Sequence, residues 1–428
     1  MNELIQKLIK NKEAKNAGWI VGGRIAQMIL SFFVGVLTAR YLGPQNYGII
    51  NYASAYVAFF SSFCTLGINS VIIKEFSDEP DKQGETIGTA ILLRIISSIL
   101  SIVLILSISR IFDGNELEIN IIVGICSLSV IFQTMDTLNY WFQAKYQSKI
   151  TSIATLIAYI VTSTYRIILL VCNKDVIWFA AALSVDQLCI AIILIISYFK
   201  YHGPKFSFSY KKAKRLLGKS YNYILSGMMV AIYGQTDKLM LKQMLDEEAV
   251  GYYSLASSIN SLWVFLLAAV IDSIYPTIVA LFAQSKDAFE RKNRQLYAIV
   301  SYLSIFVAIC IMLFGKKFIQ IVYGDAYLGA AEPLSIICWY TMFSYLGVAR
   351  NAWIVCNNQQ KYLKYICAFS ALANVILNLI LIPQSGASGA ALASLITQIL
   401  TILLPCVFKE MRPNVKLMLD ALLLRGIK

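Results

Sequence analysis

The sequence predicts an all-α integral membrane protein of about twelve transmembrane helices, arranged as two six-helix lobes with both termini cytoplasmic. Three observations lead there. First, 58% of the 428 residues are apolar and only 14% are charged, against about 45–50% and about 25% in soluble chains. Second, the apolar residues fall into recurrent runs of roughly 20, the length that crosses about 30 Å of hydrocarbon. Third, the alternation of barrel strands is absent, which leaves helices as the element that satisfies its own backbone in lipid. Spans and short connections consume a chain of this size, so a separate soluble catalytic domain has no room.

Taken in order, polar breaks delimit candidate helices at 17–39, 48–73, 87–111, 119–143, 150–172, 176–199, 220–245, 249–275, 296–322, 333–356, 361–383 and 386–408. An even number puts the termini on one side. Loops on that side hold 26 Lys and Arg, whereas the opposite loops hold 5, at Arg40, Arg110, Lys174, Lys316 and Lys317. Positive charge is retained inside, so both termini are cytoplasmic. The net charge of +13 is thereby explained by topology, and nucleic acid is not needed as a partner.

Residues 1–16 place Leu4, Ile5, Leu8 and Ile9 on one helical face among lysines, and the tail 409–428 carries Val415, Met418, Leu419 and Leu422. Both patterns suit an amphipathic segment lying on an anionic leaflet. Nine cysteines without a CxxC, and a lone His202, give no metal or disulfide pattern and are expected to be small buried thiols. The first apolar segment is long and leads into others, unlike a cleavable signal peptide.

The densest basic stretch, 200–219, is read as a linker between two halves, 17–199 and 220–408. Around Leu42 the chain reads YLGPQNYGIINYAS; an offset of 203 residues brings MLDEEAVGYYSLAS into register, setting Leu245, Gly251, Ala256 and Ser257 opposite Leu42, Gly48, Ala53 and Ser54. Six spans per half preserve orientation, the signature of parallel repeats about an axis along the membrane normal.

These stretches also carry a family resemblance. TARYLGPQNYGIINYASAYVAFFSSFCTLGINSVIIKEF, within Gly18 to Phe76, resembles the amino-terminal signature of bacterial oligosaccharide flippases, the Wzx-type polysaccharide transporters. TDKLMLKQMLDEEAVGYYSLASSI (Thr236 to Ile259) resembles the start of their second half, and NVILNLILIPQSGASGAALASLITQ (Asn374 to Gln398) their last two helices. The resemblance implies the two-lobed fold of the MOP superfamily, shared with multidrug exporters (MATE) and the peptidoglycan lipid flippase. It implies transfer of undecaprenyl-diphosphate-linked oligosaccharide repeat units, such as O-antigen or capsule units, to the outer leaflet of the bacterial cytoplasmic membrane. Membrane lipids and the polysaccharide polymerase machinery are the further partners expected.

Carrying sugars and a diphosphate through hydrocarbon is costly because buried ions lose their hydration. A wet cationic cavity between the lobes would lower that cost, and polar stripes with helical spacing are the mark to look for. Helix 1 offers Arg24, Gln27, Ser31 and Thr38; helix 5 offers Thr155, Tyr159, Thr162 and Arg166; helices 4, 7 and 10 add Gln133, Asp136 and Thr137, then Asp237 and Lys238, then Ser344 and Arg350. The same stripes also serve ordinary helix-to-helix hydrogen bonding, and each cation could instead snorkel or pair internally.

The expected substrate-binding set is Arg24, Arg94, Arg166, Lys238 and Arg350 with Gln27 and Tyr159. Helix rise puts Arg24, Arg94 and Arg350 in an inner tier that would grip the diphosphate through planar guanidinium forks. Arg166 and Lys238 form an outer tier. Asp136, Asp186 and Asp237 are read as counter-ions or as carriers in H+ or Na+ coupling; no other cofactor is expected. Gly43, Pro44, Pro276 and the Pro383–Gly389 turn are hinge candidates. Two alternatives remain open: an ion-coupled multidrug exporter, which predicts acids dominating the cavity, and a membrane polysaccharide polymerase, for which neither a DxD nor an HxxxxD pattern is present.

Overall fold

The computed structural model describes residues 12–114 and 116–426; the side chains at 12–21, 23–26, 70, 222, 225, 226 and 233 lie outside the described residues. Every regular element among the described residues is a helix. Among the described residues, seven helical stretches are long and apolar enough to cross a membrane, including Pro80–Phe112, Val176–Lys200, Glu247–Phe282 and Lys286–Tyr323. Large side chains such as Ile99, Leu100 and Val103, or Phe306, Ile309 and Leu313, stand exposed along these helices, as hydrocarbon rather than water requires. The chain divides into two compact units, one comprising the residues up to Leu42 with Ile49–Gln235, the other Gly43–Gly48 with Thr236 onward.

The first long helix, α1 (Lys12–Thr65), is interrupted at Gly43, whose φ of 71° is in the left-handed region open to a residue without Cβ. Pro44 starts the second leg, where its missing N–H costs nothing. In the first unit α2 (Asn69–Asp78) and α3 (Gln83–Phe112) follow. Next, α4 (Leu117–Ser127), α5 (Ser129–Phe132) and α6 (Asp136–Ala144) form a broken rod, and α7 (Ser148–Val171) pairs with α8 (Val176–Lys200). Ile68, Ile72, Phe76, Leu138, Trp141 and Tyr198 interlock as its core.

The basic stretch 200–219 is bound to this unit over much of its length. Ser207 N–H donates to the Gly84 carbonyl at 3.3 Å and Ser209 N–H to Thr89 Oγ1 at 3.1 Å. The fit depends on two glycines a helical turn apart, because a Cβ at Gly84 would overlap the Lys205 carbonyl and one at Gly88 the Ser207 carbonyl. Beyond it, the first turns of α9 (Tyr210–Met244) bring Lys212, Arg215 and Lys219 onto Glu75 and Glu79 of the α2 end. Hydrogen bonds from Lys212 and Arg215 hold the Glu79 carboxyl down at about 2.

In the second unit Asp246 caps α10 (Glu247–Phe282) by accepting from Ala249 N–H at 2.8 Å, and Ser285 caps α11 (Lys286–Tyr323). Then come α12 (Ala331–Ala349), α13 (Asn351–Cys356), α14 (Leu363–Leu403) and α15 (Arg412–Leu422). Gly386, at φ 58°, breaks α14 into two legs. Pro276, by contrast, sits inside a continuous α10. The segment Gly43–Gly48 packs in this unit against the start of α10. A Cβ on Gly48 would overlap the Glu247 carbonyl, and one on Gly251 the Pro44 carbonyl. The 203-residue offset maps Pro44 onto Glu247 and Gly48 onto Gly251, so the contact is reciprocal under the repeat.

Two amphipathic expectations come out differently. The segment 1–16 lies outside the described residues as far as residue 11. The tail is corrected: Val415 and Met418 are buried against α11, Asn414 donates to Tyr297 Oη at 2.8 Å, and Tyr302 to the Leu422 carbonyl at 2.9 Å. Its apolar face is part of the protein core, not a membrane-surface anchor. Of the cysteines, Cys64, Cys126 and Cys338 are buried, while Cys172, Cys367 and Cys406 are exposed, which corrects the expectation of uniformly buried thiols.

Candidate functional site

Among the described residues, the polar side chains predicted for the site are found in three kinds of setting. In the second unit α9 contributes Asp237, which is 3% exposed. Its Oδ2 accepts from Tyr253 Oη and Ser394 Oγ, each at 2.5 Å, and its Oδ1 accepts from Asn378 Nδ2 at 2.7 Å. Asn374 continues the network to Asn378 and Ser394, while Asn378 Oδ1 is left buried without a partner. The break at Gly386 makes this possible: it turns the second leg of α14 back along the first, so that Asn374 and Asn378 on one and Ser394 on the other meet a single carboxylate. Gly389 is needed at that turn because any Cβ there would overlap the Leu381 carbonyl.

The neighbouring Lys238 takes no part in this cage. It is half-buried and makes no hydrogen bond or ion pair, consistent with the roughly 100° that separates adjacent residues on a helix. Three neutral donors hold the Asp237 carboxylate instead.

In the first unit Arg94 is 3% exposed. Its Nη1 donates to Thr137 Oγ1 at 3.0 Å and its Nη2 to the Gln133 carbonyl at 2.9 Å. The 3-10 turn Gln133–Met135 between α5 and α6 interrupts the regular ladder at that carbonyl, and the adjoining Asp136 supplies the opposing charge. Arg350, 4% exposed between α12 and α13, donates through Nη1 to the Thr401 carbonyl at 2.9 Å. Both residues were expected to face a lumen. In the described conformation they are sealed within their own units, with neighbouring helices supplying acceptors to Nη atoms while the Nε of each is buried without a partner.

The third setting is half-open. On α7, Arg166 and Tyr159 are half-buried; Thr162 Oγ1 donates to Asp186 Oδ1 of α8 at 3.2 Å, and the Asp186 and Arg166 charges act on one another. Arg166 makes no hydrogen bond or close ion pair. Gln27 is half-buried on α1, and the side chain of Arg24 lies outside the described residues. Thus the structure sets Arg166 within electrostatic reach of Asp186, Arg94 of Asp136 and Lys238 of Asp237, none of them as a close ion pair, while Arg350 has no carboxylate partner of this kind.

Sequence reasoning passed over Tyr253, Asn374, Asn378 and Ser394. The available signal was the pair of asparagines four residues apart inside an apolar helix, where an amide needs a partner. It also passed over Asp113, 6% exposed at the end of α3, which accepts from Tyr52 Oη at 2.8 Å, while Tyr52 also bonds Tyr56 at 2.9 Å. No cluster of metal-ligating side chains occurs among the described residues.

Comparison with known proteins agrees with this architecture. The family described as "Polysaccharide biosynthesis protein" matches residues 14–282, and the MatE family matches residues 223–380. The chain is 20% identical over 401 residues to the capsular polysaccharide biosynthesis protein CapF of Staphylococcus aureus, covering 91% of this chain and 97% of that one. Among solved structures it is similar to the lipid II flippase MurJ in an inward closed conformation (TM-score 0.74, 15% identity, 94% of this chain and 91% of that one). A multidrug resistance MATE transporter of the MOP superfamily, facing inward, gives a TM-score of 0.67 at 13% identity, covering 92% and 96%. At such identities these structures speak for the fold alone.

Proposed function

The chain belongs to the polysaccharide biosynthesis protein family, a multi-pass membrane protein with the fold of the MOP superfamily, and on that premise we propose that it flips a lipid-linked glycan. Its cargo is an undecaprenyl-diphosphate-linked oligosaccharide repeat unit, moved from the cytoplasmic to the outer leaflet of a bacterial cytoplasmic membrane for cell-surface polysaccharide synthesis. The twelve-span, two-lobed, both-termini-inside topology is part of the same reading, as are alternating access and the absence of catalysis.

The observation that carries the reading is the state of Arg166 and Lys238. Both sit half-buried within helices of the apolar bundle, and among the described residues neither has a hydrogen bond or a close ion pair, only the longer-range attraction of Asp186 and Asp237. An ammonium or guanidinium in that setting gains from an anion that arrives and leaves. With Arg24, Gln27 and Tyr159 they make the proposed substrate-binding set, while Arg94 and Arg350 are reassigned to positioning the helices that carry it. Direct flipping of a defined undecaprenyl-diphosphate-linked glycan by the purified protein in liposomes tests this; no flipping above protein-free vesicles sinks it.

Energy coupling is proposed at Asp237 rather than at Asp136 or Asp186. Its partners are two hydroxyls and a side-chain amide, all able to rotate their oxygens toward a bound proton or Na+, and Asn378 Oδ1 is an unused acceptor beside it. Each of the three acids lies within electrostatic reach of one cation, Asp136 of Arg94, Asp186 of Arg166 and Asp237 of Lys238, and Asp237 is the one caged by three side-chain donors. A Na+ or pH gradient that leaves transport unchanged rules the coupling out. The MatE match over 223–380 keeps one second reading, an ion-coupled exporter of organic cations; uptake of a cationic dye into energised vesicles without glycan flipping would favour it.

A further inference from the structure

The second unit contains a cavity that neither the transport reading nor the Asp237 cage uses. It lies where the α10–α11 corner, the loop after α13 and the start of α15 meet, on the loop face that positive-inside arithmetic assigns to the cytoplasm, and its volume is about 300 Å³. That is the small end of the range for ligand pockets, suited to a sugar ring rather than a whole oligosaccharide.

Its walls combine aromatic surface with unused polar capacity. Phe282 is 45% exposed and presents the accessible aromatic surface, held edge-on at 5.1 Å by the buried Phe289, while the buried Trp353 forms part of the floor. Asn357 uses its Nδ2 on the Trp353 carbonyl at 2.9 Å, and Gln359 its Nε2 on the Asn357 carbonyl at 2.9 Å. Lys286 and Glu290 border the cavity without a hydrogen bond or ion pair. Glu410, on the cavity wall, accepts from Tyr362 Oη at 2.9 Å. Its own backbone amide and that hydroxyl hold its carboxyl below the usual carboxylate range.

Aromatic faces cover the apolar C–H faces of a pyranose, while carboxylate, amide and ammonium groups read its hydroxyls in pairs. A phosphate-bearing headgroup fits poorly, since one lysine is opposed by two carboxylates. We propose that this cavity is a sugar-binding subsite that captures one ring of the glycan on the cytoplasmic face before translocation. This rests on the flippase reading, and it adds a place where sugar identity is checked outside the transport path.

The test uses full-length protein in a sugar-free amphipol. The probe is the oligosaccharide released by mild acid from the lipid-linked glycans of the source cells, observed by saturation-transfer NMR. Transfer to ring protons is expected, and the paired surface substitutions Lys286→Met and Glu290→Gln should weaken it about tenfold, the loss of one or two hydrogen bonds. In liposomes the same variant should raise KM for the lipid-linked glycan by a similar factor with maximal rate unchanged. A wild-type preparation that flips the glycan yet shows no saturation transfer overturns the subsite and leaves the flippase reading intact, as does a variant with unaltered transfer or KM. Transfer to phosphoethanolamine in place of the oligosaccharide overturns it in favour of a lipid headgroup. Transfer without any flipping upholds the subsite and sinks the flippase reading.

Discussion

Arg94 in the first unit and Asp237 in the second are equally buried, each 3% exposed, yet they are held in opposite ways. Arg94 meets a main-chain carbonyl and a threonine hydroxyl that itself donates to the Thr134 carbonyl at 2.9 Å; these acceptors are fixed by the backbone. Asp237 meets only side-chain hydroxyls and an amide, groups that can turn without moving a helix. Equal burial therefore does not imply equal roles. The first is a rivet, and the second is a socket whose lining can accept a different occupant.

The largest effect that would test the contrast is Arg94→Met. It strands the Gln133 carbonyl and leaves Asp136 uncompensated, at a cost of about 3–5 kcal/mol. Abundance and the detergent-solubilised Tm should both collapse; a well-folded variant would refute the rivet. Asp237→Asn keeps the shape and should cost no more than about 1–3 kcal/mol, with protein retained in the membrane but transport indifferent to Na+ and pH gradients. Loss of the protein instead would place Asp237 beside Arg94 as structural. Tyr253→Phe removes one of three donors, at about 1 kcal/mol, and should shift the ion concentration for half-maximal transport while sparing Tm.

Arg166→Gln and Lys238→Gln sharpen the comparison further, since these cations lose no hydrogen bond or close ion pair, only the longer-range attraction of Asp186 and Asp237. Each should depress flipping with Tm unchanged, and a fall in Tm would reveal a structural role.

The smallest effect belongs to the half-buried Glu79 at the linker. Its carboxyl is lowered from the ordinary 4.5 to about 2, so its contribution is present above pH 4.5 and is lost as pH falls toward 2. Exchange of the Ser207 and Ser209 amides, corrected for intrinsic pH dependence, should accelerate across that window in the native chain and not in Glu79→Gln.

Much of the architecture was legible because it rests on periodicity. Apolar runs located the helices, and the shared residues around Leu42 and Leu245 pointed to two glycines that touch in the structure. Gly43 and the Pro383–Gly389 turn were readable as breaks, since the φ/ψ pairs of Gly43 (71°, 171°) and Gly386 (58°, −134°) suit a residue without Cβ. The roles of the charges were not legible. Arg94 and Arg166 look alike along their helices, and which one finds acceptors depends on a 3-10 turn some 40 residues away at Gln133. Asn374, Asn378 and Ser394 converge on Asp237 only after Gly386 reverses the chain. The tail looked like a surface helix because its apolar stripe fits lipid and α11 equally well; Asn414 and Tyr297 decide between them.

The strip Lys205–Ser209, fastened over Gly84 and Gly88, also determines where the polypeptide could be divided for production as two genes. A cut within 200–219 would sever the fastening and deprive α9 of its anchorage on Glu75 and Glu79. A cut between Leu245 and Asp246, after α9 has ended and before α10 is capped, leaves each fragment with whole helices, and co-production of 1–245 with 246–428 is the arrangement expected to restore a working transporter.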